Sequence, residues 1–259
     1  GAAGYAGAAA MAVTAALRSG VGLVTALVPK GIAPVVAGIV PEAMVHGGPE
    51  TEIGSLAEDA LDTWERPAAG FDAVLAGPGM TSHGATRRIV EKLLSEGTAP
   101  LVLDADALNV LAGCAEAVRE AGRPVVVTPH PGELARLTGC GVGEVQADRV
   151  GAARGAAELT GAVVALKGAG TLVAAGGHPV NVNLTGNPGM AKGGMGDVLA
   201  GMVAALAAQG MPPFDAVRAA VYVHGRAGDN VAMRTSQIGM VAGDVIEELP
   251  NVFREIAAR

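Results

Sequence analysis

The chain has 259 residues, of which 18 are basic and 25 acidic, and its formal net charge is −7. It can bury a full hydrophobic core, and the lack of any Lys/Arg run argues against binding to nucleic acid or to an anionic membrane surface. No apolar segment of the sequence is long enough to cross a bilayer. The two cysteines, Cys114 and Cys140, form neither a CxxC pair nor a disulfide framework, which predicts a reducing, cytoplasmic setting.

Short apolar strands alternate with helices along most of the chain. The patterns predict helices at residues 5–19, 50–66, 85–94, 144–160, 197–209 and 214–233. They predict strands at residues 21–28 and in the segments FDAVLA, PLVLD, RPVVV and GAVVALKGAGTLVAA, the last being two strands about a glycine turn. Such alternation indicates an α/β fold with a largely parallel sheet covered by helices on both faces. We expect residues 1–259 to form one domain.

Unusual residues gather where the predicted strands end. These strand-end segments are Gly77-Pro78-Gly79, the DADALN segment with Asp104, Asp106 and Asn109, residues 128–133, and residues 167–171. Ligands of doubly wound sheets bind beyond the carboxyl ends of the strands. If the four strands are neighbours, their end segments line one crevice, and we expect the functional site there.

The densest glycine segment is NPGMAKGGMGDVLAG. Its glycines, Gly193, Gly194 and Gly196, allow backbone N–H groups to face a common space at a helix start, which is typical of a phosphate site. Asp197 then fits either a base that takes a proton from an attacking hydroxyl group or an N-terminal helix cap. The spacing leaves both interpretations open. The segment is not a P-loop, because Lys192 precedes a glycine and not Ser or Thr.

Two other segments allow a binding role and a structural role alike. LKGAGT follows a strand, so Lys167 could meet a nucleotide phosphate, although a hairpin turn with a surface lysine has the same pattern. In TPHPGE two prolines hold His130 at a helix start, where Pro131 and Glu133 suit the first turn. The imidazole could bind a polar substrate or only cap the helix.

The DADALN segment places Asp104 and Asp106 two residues apart. They could bind Mg²⁺ through water, contact a ribose hydroxyl group or cap the next helix. His224 has apolar neighbours at helical spacing, which favours a core position. The remaining histidines outside TPHPGE show no metal-ligand spacing: His46, His83 and His178.

Seven segments occur in one order along nearly the whole chain: GYAGAA, GPG, LDADAL, TPHPGE, LKGAGT, NPGMAKGGMGD and YVHGRAGD. In this combination the sequence closely resembles the NAD(P)H-hydrate dehydratases, a repair branch of the ribokinase-like superfamily. TPHPGE together with GGxGD is specific to this branch. The resemblance implies a ribokinase-like fold, which has three layers, α/β/α, around a largely parallel central sheet.

The resemblance also implies an activity. These enzymes use ADP or ATP, with Mg²⁺, to remove water from the S epimers of NADHX and NADPHX, the hydrated forms of the reduced cofactors. The terminal phosphoryl group would pass to the C6 hydroxyl group, and phosphate would then leave. Bacterial members tend to use ADP. Because the Ala/Gly/Val-rich composition indicates a bacterial chain, we expect ADP as the donor. A homotetramer and a separate or fused epimerase are further expectations of the resemblance.

Site residues follow from the same resemblance. Asp197 would accept the hydroxyl proton and contact the hydrated dinucleotide, which would also meet Ala8, Gly79 and His130. The adenine nucleotide would meet Lys167, Gly168, Ala169, Gly170, Thr171 and Gly196. The anion hole would consist of Gly193, Gly194, Met195 and Gly196.

Three details qualify the resemblance. A helix N-terminus predicts a lowered pKa for Asp197. Met195 stands where the family usually has Ser or Thr, which predicts reduced but not abolished activity. The family also has a strand and a turn before the GYxGAA segment, so the resemblance implies that the natural chain is longer at its N-terminus or was fused to an epimerase.

Two other functions fit the same motifs. A small-molecule kinase of the superfamily, acting on a thiazole or pyrimidine alcohol, would share Asp197 and the glycine segment but release a phosphorylated product. A catalytically silent nucleotide-binding protein would fit Met195 and the missing first strand.

Overall fold

The computed structural model describes residues 1–62 and 70–258. Its helices are α1 (Ala6–Arg18), α2 (Ala33–Ile39), α3 (Gly84–Ser95), α4 (Asp106–Asn109), α5 (Ala115–Arg119), α6 (Pro131–Thr138), α7 (Val142–Ala147), α8 (Arg149–Thr160), α9 (Met195–Ala208), α10 (Pro213–Arg234) and α11 (Ala242–Ala257). Its strands are β1 (Thr25–Pro29), β2 (Met44–Gly48), β3 (Val74–Ala76), β4 (Leu101–Leu103), β5 (Val125–Val127), β6 (Val163–Leu166), β7 (Leu172–Ala174) and β8 (Asn181–Val182). Short 3₁₀ turns lie at Glu58–Leu61 and Pro188–Met190.

The main sheet has six strands in the order β3-β4-β5-β6-β7-β8. Strands β3 to β6 are parallel neighbours, whereas β7 and β8 run antiparallel to their neighbours. Parallel neighbours need crossover connections, and helices α3 to α8 supply them. Strands β1 and β2 form a separate parallel pair. The carboxyl ends of β3 to β6 therefore lie along one edge of the main sheet.

Two hydrophobic cores cover the two faces of this sheet. Leu101 and Leu103 of β4 pack with residues of α3 to α8, whereas Val102 between them packs with α9, α10 and α11. A smaller core joins α1, β1 and α2. Helix α1 approaches α9 closely at Gly201, where a methyl group would collide with the backbone carbonyl of Ala12. Among the described helices, none combines the length and hydrophobicity that a bilayer span needs.

The predicted alternation of strands and helices is confirmed with shifted ends. The segment GAVVALKGAGTLVAA forms the antiparallel hairpin of β6 and β7, as predicted. The strand predicted from residue 21 begins only at Thr25. The single helix predicted at 144–160 is two helices, because Asp148 leaves the helical conformation (φ −139°, ψ 80°) and its carboxylate caps α8 through the N–H of Gly151.

The helix predicted at 50–66 is wrong where the structure describes it. Glu50 and Leu56 pair in an isolated antiparallel bridge, and only the 3₁₀ turn at Glu58–Leu61 follows. Gly54 has φ +74°, a left-handed conformation that interrupts a right-handed helix. Residues 63–66 of the predicted helix lie outside the described residues. The sequence patterns missed helices α2, α5 and α11 and strands β2 and β8.

Candidate active site

Four strand-end segments meet at one edge of the main sheet, as predicted from the sequence. They are residues 77–79, 104–109, 128–133 and 167–171. Hydrogen bonds join them across the strands. The hydroxyl group of Thr128 donates to Oδ1 of Asp104 over 2.8 Å, and the N–H of Lys167 donates to the carbonyl of Pro129 over 2.8 Å. The segments therefore form one crevice.

The glycine-rich segment leads into the first turn of α9. Gly194 is the N-cap residue, with φ +89°, and Asp197 is the third helical residue, so Asp197 is not the N-cap. A methyl group built at Gly196 would lie 3.4 Å from Nζ of Lys167 and 3.6 Å from Oδ2 of Asp104. The first turn of α9, with its free N–H groups and the positive end of the helix dipole, therefore lies at the crevice.

The pKa of Asp197 is raised from 3.8 to about 6. Partial burial is the largest cause, the like charge of Asp104 adds to it, and Lys167 acts in the opposite direction. The lowered pKa predicted from the helix N-terminus is wrong. At such a position a helix dipole stabilises the carboxylate by about 1 kcal/mol or less. Raising a pKa from 3.8 to about 6 corresponds to about 3 kcal/mol in the opposite direction. Loss of water and a neighbouring carboxylate therefore outweigh the dipole.

Lys167 forms a buried ion pair in the crevice. Its ammonium lies 2.6 Å from Oδ1 of Asp104, whose side chain is 1% exposed, and 3.6 Å from Oε2 of Glu133. Burial acts to lower the pKa of Lys167, but the two carboxylates outweigh burial and the pKa ends above its ordinary value. Lys167 is thus a permanent cation at the crevice and not a surface lysine. The partnership of Asp104 and Glu133 with Lys167 was not predicted from the sequence.

His130 caps α6. Its Nδ1 accepts hydrogen bonds from the N–H groups of Gly132 (2.9 Å) and Glu133 (3.3 Å), and Oε2 of Glu133 accepts from the N–H of His130 (2.7 Å). This reciprocal capping box is the structural role that the sequence left open. Since Nδ1 accepts, a neutral imidazole carries its proton on Nε2, and this nitrogen lies 3.5 Å from Oε1 of Glu133. The side chain is 49% exposed, so capping and binding are compatible.

Ala8 and Gly79 are brought together. Gly79 has φ +61°, and a methyl group on it would lie 3.0 Å from the Cβ of Ala8 and 2.8 Å from the Cβ of Tyr5. The start of α1 therefore packs directly against the turn after β3. This contact requires glycine at position 79, and it places two of the predicted dinucleotide residues on one wall of the crevice.

The predicted nucleotide segment is the turn between β6 and β7. Gly168 and Gly170 have positive φ angles of +147° and +62°, which explains why glycine occupies both positions. The hydroxyl group of Thr171 donates to the carbonyl of Gly168 over 3.1 Å and closes the turn. Gly196 lies near Lys167 at the beginning of this turn, so the structure brings the predicted nucleotide residues together.

Met195 occupies the anion-hole segment with a buried side chain. It is 4% exposed and packs into the core that contains α9 and α10. Only its backbone can therefore contribute to an anion hole, together with the backbones of Gly193, Gly194 and Gly196. The reduced activity predicted from Met195 stays a prediction.

Two charged side chains hold the glycine-rich segment in place. The ammonium of Lys192 donates to the carbonyls of Ile238 (2.5 Å) and Met240 (2.7 Å), ahead of α11. The carboxylate of Asp229 on α10 accepts from the N–H of Gly186 (2.9 Å) and from the amide of Asn187 (3.0 Å). The sequence analysis missed both anchors, although Asp229 closes the YVHGRAGD segment.

His224 lies in the core, as its spacing predicted. It is 9% exposed, and its Nε2 has no partner among the described residues. Burial, with a smaller contribution from Lys167, lowers the pKa of His224 to about 4. The imidazole therefore stays neutral beneath the crevice at physiological pH.

No cluster of three His, Cys, Asp or Glu side chains suited to a metal ion occurs within residues 1–62 and 70–258. Asp104 is paired with Lys167, and Asp106 accepts hydrogen bonds from the N–H of Thr81 (2.9 Å) and the amide of Asn109 (3.2 Å). Both carboxylates are thus already engaged by protein groups. Mg²⁺ commonly binds substrate phosphates and water with few protein ligands, so an ion that enters with a polyphosphate fits this arrangement.

Comparisons with known proteins identify relatives of the chain. A relative from Moorella thermoacetica, named bifunctional NAD(P)H-hydrate repair enzyme Nnr, is 44% identical over 99% of this chain and 48% of its own length. A relative from Neisseria meningitidis serogroup B, named ADP-dependent (S)-NAD(P)H-hydrate dehydratase, is 38% identical over 95% of this chain and 80% of its own. The chain spans about half the length of the bifunctional relatives it matches.

Solved structures show the same fold. The ADP/ATP-dependent NAD(P)H-hydrate dehydratase from Bacillus subtilis, co-crystallised with ATP/Mg²⁺ and soaked with CoA, has a TM-score of 0.84 and 30% identity, covering 98% of this chain and 89% of its own. Ribokinase from Thermotoga maritima has a TM-score of 0.62 and 16% identity, covering 95% and 86%, which shows the fold alone. The predicted ribokinase-like fold is confirmed. The Carb_kinase family, described as NAD(P)H-hydrate dehydratase, matches residues 1–251, and the chain belongs to this family.

Proposed function

We propose that the protein converts the S epimers of NADHX and NADPHX back to NADH and NADPH, with ADP as the phosphoryl donor and ATP as the alternative donor. The observation that carries the proposal is Asp197, a partly buried carboxylate with a pKa of about 6 at the first turn of α9. The relative named an ADP-dependent (S)-NAD(P)H-hydrate dehydratase and the Bacillus subtilis structure with ATP/Mg²⁺ support the choice of substrates.

Asp197 acts as the base in the first step. The C6 hydroxyl oxygen of the hydrate attacks the terminal phosphorus of ADP, a new O–P bond forms, and the bond from phosphorus to the AMP oxygen breaks. The carboxylate accepts the hydroxyl proton during this transfer. A pKa of about 6 leaves Asp197 ionised at neutral pH and makes it a stronger base than an ordinary aspartate.

Elimination of phosphate completes the reaction. Hydroxide is a poor leaving group, whereas phosphate leaves C6 readily with the electron pair of the C–O bond. The neighbouring C5 gives up a proton to solvent, and the ring double bond is restored. The balanced products from ADP are the reduced cofactor, AMP, phosphate and one proton.

The anion hole stabilises the transferring phosphoryl group. Its donors are the backbone N–H groups at Gly193, Gly194, Met195 and Gly196. Preorganised backbone donors of this kind stabilise developing charge without rearranging during the reaction. Lys167 adds a fixed positive charge close to Gly196, where a methyl group would lie 3.4 Å from its Nζ.

In this proposal both substrates bind at the crevice that holds Asp197. The hydrated dinucleotide contacts Ala8, Gly79 and His130, whose Nε2–H donates to it in place of Oε1 of Glu133. The adenine nucleotide contacts Gly196 and residues 167–171. Mg²⁺ bound to the nucleotide would neutralise part of the charge of its polyphosphate, in addition to the positive charge that Lys167 provides.

One assay tests the proposal. The protein is incubated with S-NADHX, Mg²⁺ and ADP or ATP, and absorbance at the reduced nicotinamide band is followed together with AMP or ADP and phosphate release. NADH recovery with one phosphate per turnover supports the proposal, and the R epimer is the matched control. A stable phosphorylated product without NADH indicates the kinase, and nucleotide binding without turnover indicates the silent protein.

Assembly and location are part of the same proposal. We propose a homotetramer, an epimerase that interconverts the hydrate epimers as a separate or fused partner, and action in the cytoplasm, where reduced cofactors are consumed. The bifunctional names of several relatives support the epimerase. Light scattering of the purified protein tests the assembly, and addition of a purified epimerase to racemic NADHX tests the coupling.

A further inference from the structure

We propose that Arg149 is a positioning residue that sets the orientation of the nucleotide-binding turn between β6 and β7. Arg149 is the first residue of α8, and its guanidinium contacts backbone carbonyls in and next to the turn. Nη1 donates to the carbonyl of Ala169, and Nη2 lies within hydrogen-bond distance of the carbonyls of Leu166 (3.3 Å) and Lys167 (3.4 Å). This inference rests on the proposed function, because it assumes that residues 167–171 bind the nucleotide.

The start of α8 holds this arginine in place. Asp148 caps the helix by accepting from the N–H of Gly151 over 2.8 Å, so the backbone of Arg149 is fixed directly behind the turn. Gly168, with φ +147°, allows the close approach, since a methyl group on it would lie 2.8 Å from Nη2. The capped helix end fixes the backbone of Arg149, and the glycine leaves room for the guanidinium beside the turn.

The arginine determines which way the N–H groups of the turn face. The carbonyl and the N–H of one planar trans peptide unit point in opposite directions. Because the carbonyls of Lys167 and Ala169 point towards Arg149, the N–H groups of Gly168 and Gly170 point away from it. The N–H paired with the third carbonyl belongs to Lys167 and donates to the carbonyl of Pro129. The N–H groups of Gly168 and Gly170, which are separated by Ala169, thus both face away from the guanidinium, and backbone N–H groups that converge in a turn can bind an anion.

The arginine does not fit a role in stability alone. Its Nε is buried without a partner among the described residues, and an unpaired buried donor costs folding free energy. Replacement by methionine removes that donor and keeps the apolar stem of the side chain. The carbonyls of Lys167 and Ala169 lie in the turn, where water can bind them once they are released, whereas the carbonyl of Leu166 lies at the buried end of β6. We therefore expect such a variant to lose nucleotide affinity while its stability changes little.

The test compares Arg149→Met and Arg149→Lys with Arg154→Met, which changes an exposed arginine on the same helix. Binding of ADP is measured by calorimetry in the presence of Mg²⁺, separately from turnover. In Arg149→Met we expect the Kd and the KM for ADP to rise about tenfold, with kcat at saturating ADP within about threefold of the wild type and KM for NADHX unchanged. Arg149→Lys should recover part of the affinity, and Arg154→Met should match the wild type.

Wild-type affinity for ADP in folded Arg149→Met overturns the inference, and so does a fall in kcat with an unchanged KM for ADP. If Arg149→Met does not fold, Arg149→Lys decides, because a compact ammonium lacks the planar fork that directs two separate nitrogens to these carbonyls; wild-type affinity in that variant overturns the inference. Failure of the wild-type protein itself to bind ADP overturns the proposed function instead, so the two outcomes are distinguishable.

Discussion

The ammonium of Lys167 lies 2.6 Å from Oδ1 of Asp104, and this buried pair stands against Gly196 at the first turn of α9. The two residues are 63 positions apart in the chain and come together because β4 and β6 end at the same edge of the sheet. The pair has two effects on the site. Asp104 raises the pKa of Asp197, and Lys167 provides a positive charge that Asp104 and Glu133 keep protonated.

Replacement of Asp104 by asparagine tests both effects. Lys167 would keep the longer ion pair with Glu133 (3.6 Å), so the unfolding free energy should fall by up to about 3 kcal/mol, the usual cost of breaking a buried ion pair from one side. Removal of the like charge should also lower the pKa of Asp197, so the acidic limb of kcat/KM should move to lower pH. Urea unfolding and a pH–rate profile measure the two results. Asp215→Asn, in an exposed ion pair of α10, is the control, and an Asp104→Asn profile that overlays the wild type contradicts the argument.

The pH dependence of the wild type follows from Asp197. The base must be deprotonated to accept the hydroxyl proton, so kcat/KM should rise with pH through about 6, the raised pKa, and level off above it. The measurement is the initial rate of NADH recovery between pH 4.5 and about 8 at low substrate. A rate that stays level down to about pH 4.5 would place the pKa near its ordinary value of 3.8 and show that burial and Asp104 do not control the base.

Asp197→Asn separates catalysis from binding. The amide cannot accept the proton, so turnover should fall at least about 100-fold, whereas ADP affinity should stay within about twofold, because the backbone anion hole is unchanged. Stability should rise at pH 8. The pKa of Asp197 is higher in the folded protein than in the unfolded chain, so its contribution to stability is lost as pH rises through about 6. Turnover equal to that of the wild type would exclude Asp197 as the base.

The position of the crevice could be predicted from the sequence, but the charges and pKa values within it could not. Glycine, proline and carboxylate residues at strand ends are local signals, and parallel alternation places those ends together, so the positions of Gly79, Asp104 and Lys167 could be anticipated. The raised pKa of Asp197 could not, because it depends on burial and on a carboxylate from another strand. The helix predicted at 50–66 from its polar composition was also wrong, because Gly54 adopts a left-handed conformation.

Lys192→Met tests the anchoring of the glycine-rich segment. The ammonium ties this segment to the carbonyls of Ile238 and Met240, so its loss should loosen the anion hole that follows. We expect kcat to fall about tenfold with little change in the KM for NADHX, because the anion hole acts on the transition state. Lys192→Arg, which keeps donors at the same place, should retain most activity. The control is Lys30→Met, which changes an exposed lysine. Equal kcat values for the two variants would show that Lys192 does not support the anion hole.

His224 provides a prediction about folding stability. Its pKa is about 4 in the folded protein and 6.5 in an unfolded chain, so the unfolded state binds more protons between these values. The stability that the neutral imidazole allows is present above pH 6.5 and is lost as pH falls towards 4, by about 3 kcal/mol in total. Asp197 acts in the opposite direction over part of this range, so the wild type alone does not isolate the histidine. The difference in unfolding free energy between wild type and His224→Gln does, since Asp197 is present in both. As the pH falls, the wild type should lose stability relative to His224→Gln. Parallel curves of unfolding free energy against pH would show that His224 takes up its proton without unfolding.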